Sequence, residues 1–153
     1  MNSSKRFQLT VLVVVAIALF AGAPAFAETY GPFTLTNVTA VGDPDHLATG
    51  QATLIYFGSP WAGLTVTCQG LTPGQLYRIG PLPSRDRNFR IVYSYVTFTA
   101  SADGSGMARA YVATFMSNEY GGFQVPIKVD RVVSSQGKGQ YVKVFSGRAF
   151  VGR

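Results

Sequence analysis

Imidazole, thiol and carboxylate side chains are few in this 153-residue chain: one histidine (His46), one cysteine (Cys68) and seven acids, Glu28, Asp43, Asp45, Asp86, Asp103, Glu119 and Asp130. A Ser-His-Asp triad, or a zinc centre built on paired histidines, would have to pass through His46 alone. That residue lies in Val41-Gly42-Asp43-Pro44-Asp45-His46-Leu47, whose composition reads as an exposed loop. Asp43 and Asp45 could offer carboxylate oxygens to calcium, a hard cation, but the Asp-x-Asp-Gly spacing of an EF-hand loop is missing. Glycoside hydrolysis needs two facing carboxylates, and no pair among the seven is favoured without a fold. No catalytic set assembles, so the sequence predicts no enzyme and no cofactor.

Cys68 ends the alternating run Leu64-Thr65-Val66-Thr67-Cys68, which sets Leu64, Val66 and Cys68 on one face. A single cysteine forms no intramolecular disulfide, and a small buried hydrophobe is the expected role. Aromatics are more suggestive. Trp61, Tyr120 and Phe123 could form an exposed strip that stacks on sugar rings or anchors a protein partner, with Tyr120-Gly121-Gly122-Phe123 as a flexible aromatic loop. Most other aromatics are expected in the core or in cross-strand pairs. Asn37-Val38-Thr39 matches the N-glycosylation acceptor pattern.

These side chains must be positioned by strands. Eight runs rich in β-branched or aromatic residues follow residue 28: 33–41, 52–57, 64–68, 76–79, 89–100, 107–115, 123–133 and 141–151. Gly, Pro, Asp or Ser separates nearly all of them, and no 12-residue stretch has helical spacing with a cap. Asp103-Gly104 should turn a hairpin, Gln136-Gly137-Lys138-Gly139 a looser one, and Ser59-Pro60 makes a break before Trp61. Arg85, Arg87 and Arg90 share one loop with Asp86, which reads as a solvated loop and not a nucleic-acid surface.

Gly70-Leu71-Thr72-Pro73-Gly74-Gln75-Leu76-Tyr77 resembles the tyrosine corner of fibronectin type III and related immunoglobulin-like sandwiches. The resemblance rests on Leu71, Pro73, Gly74 and Tyr77, and on the Asp103-Gly104 hairpin that follows. It implies that the Tyr77 hydroxyl bonds back to the backbone, and that Trp61 resembles the core tryptophan of such sheets. More strand follows Tyr77 than in the fibronectin module. The expected fold is all-β: a single immunoglobulin-like antiparallel β-sandwich of about seven to nine strands.

The N-terminus reads as an address. Lys5 and Arg6 precede an apolar run from Leu9 to Ala23, and Ala25-Phe26-Ala27 offers the small-x-small pattern of a signal-peptidase site. Residues 1–27 are therefore expected to be a signal peptide cut between Ala27 and Glu28, leaving residues 28–153 as one domain. Val11 to Ala23 is shorter than the roughly 20 residues of a membrane-spanning helix. Losing Lys5 and Arg6 leaves 11 basic residues against 7 acids, a mild net charge of +4. The sequence predicts a secreted, periplasmic or cell-surface protein that is non-enzymatic and is not inserted in a membrane after cleavage. Its role would be adhesion, surface structure or binding of a protein or polysaccharide. The alternative is a self-associating fibre or surface-layer subunit that donates residues 28–40 as a strand; a glycan-active enzyme comes third.

Overall fold

A computed structural model describes residues 27–58, 61–114, 122–134, 136 and 138–152. The expected leader, apart from Ala27, lies outside them, as do Ser59, Pro60 and Tyr120. Eight strands make up the fold: β1 (Glu28–Asn37), β2 (Thr49–Tyr56), β3 (Trp61–Gln69), β4 (Leu76–Arg85), β5 (Ile91–Thr99), β6 (Gly106–Ala113), β7 (Phe123–Ser134) and β8 (Gln140–Val151). Most form because alternating apolar residues can bury one face while Thr, Gln, Arg or Lys wets the other, whereas β5 has no buried residue and is held by its pairing with β4. Thus Ala62, Leu64, Val66 and Cys68 of β3 point inward, as do Phe123, Val125, Ile127 and Val129 of β7.

All pairings are antiparallel, in the order β5-β4-β7-β8-β1-β2-β3-β6. The result is one nearly closed, barrel-like sheet. β1 joins its two halves: Glu28 to Leu35 pair with β2, and only Thr36 and Asn37 pair with β8. The strand expected as a candidate for donation thus has neighbours from its own chain on both sides. Between the halves lies one core that includes Leu54, Leu64, Tyr77, Ile79, Ile127 and Phe145, all almost fully buried. Burying each such side chain stabilises the fold by about 1.5–3 kcal/mol.

β4 runs further than its sequence suggests. After Ile79 it bulges at Gly80-Pro81 and resumes at Leu82, paired to β5 as far as Arg85. Gly80 sits at φ 143°, and a Cβ there would stand 2.7 Å from the Ser94 carbonyl oxygen, so this bulge requires glycine. Tyr77 to Ile79 are the β4 residues paired with β7. Beyond the bulge, Leu82–Arg85 and Ile91–Ser94 pair with each other alone among the described residues. Asp103 organises the β5–β6 turn by accepting from the Ser105 N–H at 2.9 Å.

Candidate functional site

The loop after β1 collects the polar groups that could have held a cation. Asp45 is wholly buried (0% exposed). Its Oδ1 accepts from the Thr72 N–H at 2.8 Å, the Thr72 hydroxyl at 2.7 Å and the Tyr77 hydroxyl at 2.9 Å, and its Oδ2 accepts from Arg131. Arg131, on β7, also grips Asp43 with both nitrogens at 2.8 Å, a bidentate pair. The Arg131 hydrogen bonds hold the Asp43 carboxyl down to about 2, and in return they raise the guanidinium. Burial pushes the Tyr77 hydroxyl up to about 12. That hydroxyl also accepts from the Thr72 N–H at 3.0 Å, a bond back to the backbone of the preceding turn.

A calcium ion at Asp43 and Asp45 would meet the Arg131 guanidinium, and both carboxylates are already spent on it. Among the described residues, no three His, Cys, Asp or Glu side chains converge on a metal position. His46 is exposed in the loop, its ring Nδ1 2.7 Å from the Asp43 carbonyl oxygen. Asn37 is tied into the same loop. Its Nδ2 donates to the carbonyls of Asp45 (2.8 Å) and Ala48 (2.9 Å), while its Oδ1 accepts from the Thr39 N–H and hydroxyl. Both amide hydrogens of Asn37 are thus committed to the loop in the fold. This cluster is therefore a clasp that ties the β1–β2 loop to β4 and β7.

The aromatic site lies on the outer face of β2, β3 and β6. Phe57, Trp61, Tyr111 and, from β4, Ser84 line an open depression of about 620 Å3. Sheet register explains the grouping. Ile55, Gly63 and Tyr111 stand in one row across three strands, and Thr53, Thr65 and Arg109 in the next. Phe57 is half exposed and Tyr111 is 71% exposed. A Cβ at Gly63 would stand 3.3 Å from the Phe57 ring, so a glycine in this row lets the ring lie against the sheet.

A second depression of about 390 Å3 shares Phe57 and Tyr111 and adds Ile55, Thr65 and Arg109. A small polar one of about 130 Å3, lined by Thr49, Gln51, Thr67 and Gln69, occupies the other end of the same strands. From Trp61 to Gln69 the face runs about 26 Å at the usual strand rise. It passes from aromatic rings, through one arginine, to hydroxyls and amides. Arg109 is exposed and has no ion pair among the described residues. Among the described residues, no carboxylate, histidine or cysteine lines any of the three depressions.

Of the three aromatics expected to make contacts, Trp61 reaches this site, half-buried at the start of β3 on the face opposite Ala62 and Leu64, and so does not take the core position that the resemblance implied. The expectation for Phe123 is corrected: it is only 5% exposed and packs its ring against Tyr56 (centroids 5.6 Å), because the inward-facing phase of β7 starts with it. Tyr120 lies outside the described residues. Glu28 opens β1 on the exposed side, next to Ala27. Cys68 is in the core, and burial pushes its thiol up to about 12. Phe57, Ser84, Arg109 and Tyr111 were not singled out from the sequence. The alternation Met107-Ala108-Arg109-Ala110-Tyr111-Val112 does put Arg109 and Tyr111 on one face, but strand pairing is needed to bring Phe57 and Trp61 beside them.

No protein-family model, curated protein or solved structure matches this chain.

Proposed function

We propose that the chain is an exported, non-enzymatic binding module of immunoglobulin-like descent that holds a polysaccharide at the cell surface. The observation that carries this reading is the groove on β2, β3 and β6. Phe57, Trp61 and Tyr111 offer flat apolar rings to the faces of sugar rings, and Thr65, Ser84 and Arg109 offer hydrogen bonds to hydroxyl or acidic substituents. Open grooves of rings edged by a few polar groups bind by stacking and leave the ligand's length free. The non-enzymatic reading rests on the sequence, in which no catalytic set assembles around the single histidine. The immunoglobulin-like descent is supported by the Leu71–Tyr77 run and by the bond from the Thr72 N–H to the Tyr77 hydroxyl. The export reading rests on the leader pattern of residues 1–27.

Retention of the exported chain on a panel of immobilised neutral and acidic polysaccharides tests this. Trp61→Ala and Tyr111→Ala should each lose retention while keeping the wild-type melting temperature. Retention by both variants at the wild-type level would sink the reading.

A further inference from the structure

We propose that the free edge of β5 pairs with β5 of a second copy of this chain, antiparallel about a two-fold axis at Ser94. β5 ends the strand order and, among the described residues, pairs only with β4. Its outer half is exposed on both faces, with Tyr93 at 62% and Tyr95 at 49%. Open edges in natural sheets are usually guarded by Lys, Pro or a bulge of their own, because unpaired N–H and C=O groups recruit other strands. Ile91-Val92-Tyr93-Ser94-Tyr95-Val96 has no charge, no proline and no glycine. Beyond Ile79 its partner β4 has left β7, so a two-stranded ribbon remains, and such ribbons are marginal in water without a third strand.

The sequence of this edge selects the occupant. Val92-Tyr93-Ser94-Tyr95-Val96 reads the same in both directions about Ser94. In a two-fold antiparallel pair each residue meets its mirror position, so Tyr93 faces Tyr95 of the second copy and Val92 faces Val96. Aromatic and β-branched cross-strand pairs of this kind stabilise sheets. Backbone direction agrees. The Ser94 carbonyl faces β4, close to Gly80, so alternation turns the N–H and C=O of Tyr93 and Tyr95 to the open edge. Those two residues would exchange both hydrogen bonds with their mirror partners.

Charge and area also fit a second copy. The basic turn holding Arg85, Arg87 and Arg90 falls at opposite ends of the paired strands. The two Arg90 residues would stand eight steps apart, about 26 Å, well beyond the roughly 8 Å screening length of physiological salt. Five paired residues with four tyrosines bury less than about 1,200 Å2, the range of weak, reversible contacts. The dimer should therefore form at high local concentration, as on a surface, and dissociate on dilution.

Sedimentation equilibrium of the exported chain tests this through charge pairs that the two-fold register sorts. Tyr93→Lys with Tyr95→Lys sets lysine against lysine and should leave a monomer at every concentration. Tyr93→Lys with Tyr95→Glu sets lysine against glutamate and should restore a dimer that weakens as salt rises, showing that loss of dimer in the first variant is not misfolding. A wild-type chain still monomeric at about 1 mM overturns the proposal. So does a lysine–glutamate variant as monomeric as the lysine–lysine one, or a lysine–lysine variant that dimerises like wild type.

Discussion

Replacing Asp45 with alanine should cost this fold more than any other single change in its loops. Asp45 is fully buried and receives the Thr72 N–H and hydroxyl, the Tyr77 hydroxyl and Arg131. Truncation strips these donors of an acceptor where water does not reach. Breaking a buried pair by removing one partner costs about 3–5 kcal/mol. Here Arg131 keeps its bidentate hold on Asp43, and the Thr72 N–H keeps the Tyr77 hydroxyl, so the lower end applies: about 3 kcal/mol. For a domain of this size, about 3–5 °C is lost per kcal/mol, so the melting temperature should drop by about 10–15 °C. Tyr77→Phe keeps the ring and loses one hydroxyl, for about 1–2 kcal/mol. Asp43→Ala alone leaves Arg131 paired with Asp45. The double change Asp43→Ala with Asp45→Ala leaves a nearly buried guanidinium with no carboxylate, and should cost at least about 1 kcal/mol more than the two singles added. Urea unfolding of the four proteins measures the cycle. A loss under about 1 kcal/mol for Asp45→Ala, or strict additivity, would refute the clasp.

Asp43 gives the clasp a pH signature. Its carboxyl is held down to about 2 in the fold, against an ordinary value near 3.8, so its contribution is present above about pH 4 and fades as pH falls toward 2. Thermal melts across that window should show a slope that Asp43→Asn flattens. Burial raises the Cys68 thiol to about 12, so the native protein should resist thiol labelling at pH 8 and react fully in denaturant; fast native labelling would contradict a core position. Gly63→Val suits a strand yet crowds the Phe57 ring, so it should weaken polysaccharide retention while leaving stability within about 1 kcal/mol. Unchanged retention would show that the Phe57 seat is irrelevant.

How much of this was legible in the sequence differs from element to element. All eight strands were, because each is a short apolar alternation closed by turn residues, and Leu64, Val66 and Cys68 face inward as that alternation requires. Boundaries failed where backbone chemistry misleads. Gly80-Pro81-Leu82-Pro83 reads as a break, since proline cannot donate to a ladder, yet β4 bulges there and continues on its β5 side. Gly31-Pro32 likewise masked the first half of β1, which starts at Glu28 and shifts register between Tyr30 and Phe33. The joining of all eight strands into one nearly closed, barrel-like sheet depends on pairings between distant strands, which local periodicity does not encode. The same limit hid the groove: Phe57, Trp61, Ser84 and Tyr111 sit on or beside four different strands and meet only through register. Asp45 read as an ordinary turn residue because its partner Arg131 lies 86 positions away. Phe123 read as a loop aromatic because two glycines precede it, whereas it opens the inward face of β7.

The most direct measurement is calorimetric titration of residues 28–153 with whichever polysaccharide of the panel retains them most strongly, set beside Trp61→Ala and Tyr111→Ala. Central aromatic contacts typically cost about 2 kcal/mol when truncated, so each variant should bind about 30-fold more weakly while melting like wild type. A wild-type chain that retains no polysaccharide, or variants that bind as tightly as it does, would contradict the groove as a glycan site. Turnover of the bound glycan would contradict the proposed non-enzymatic role.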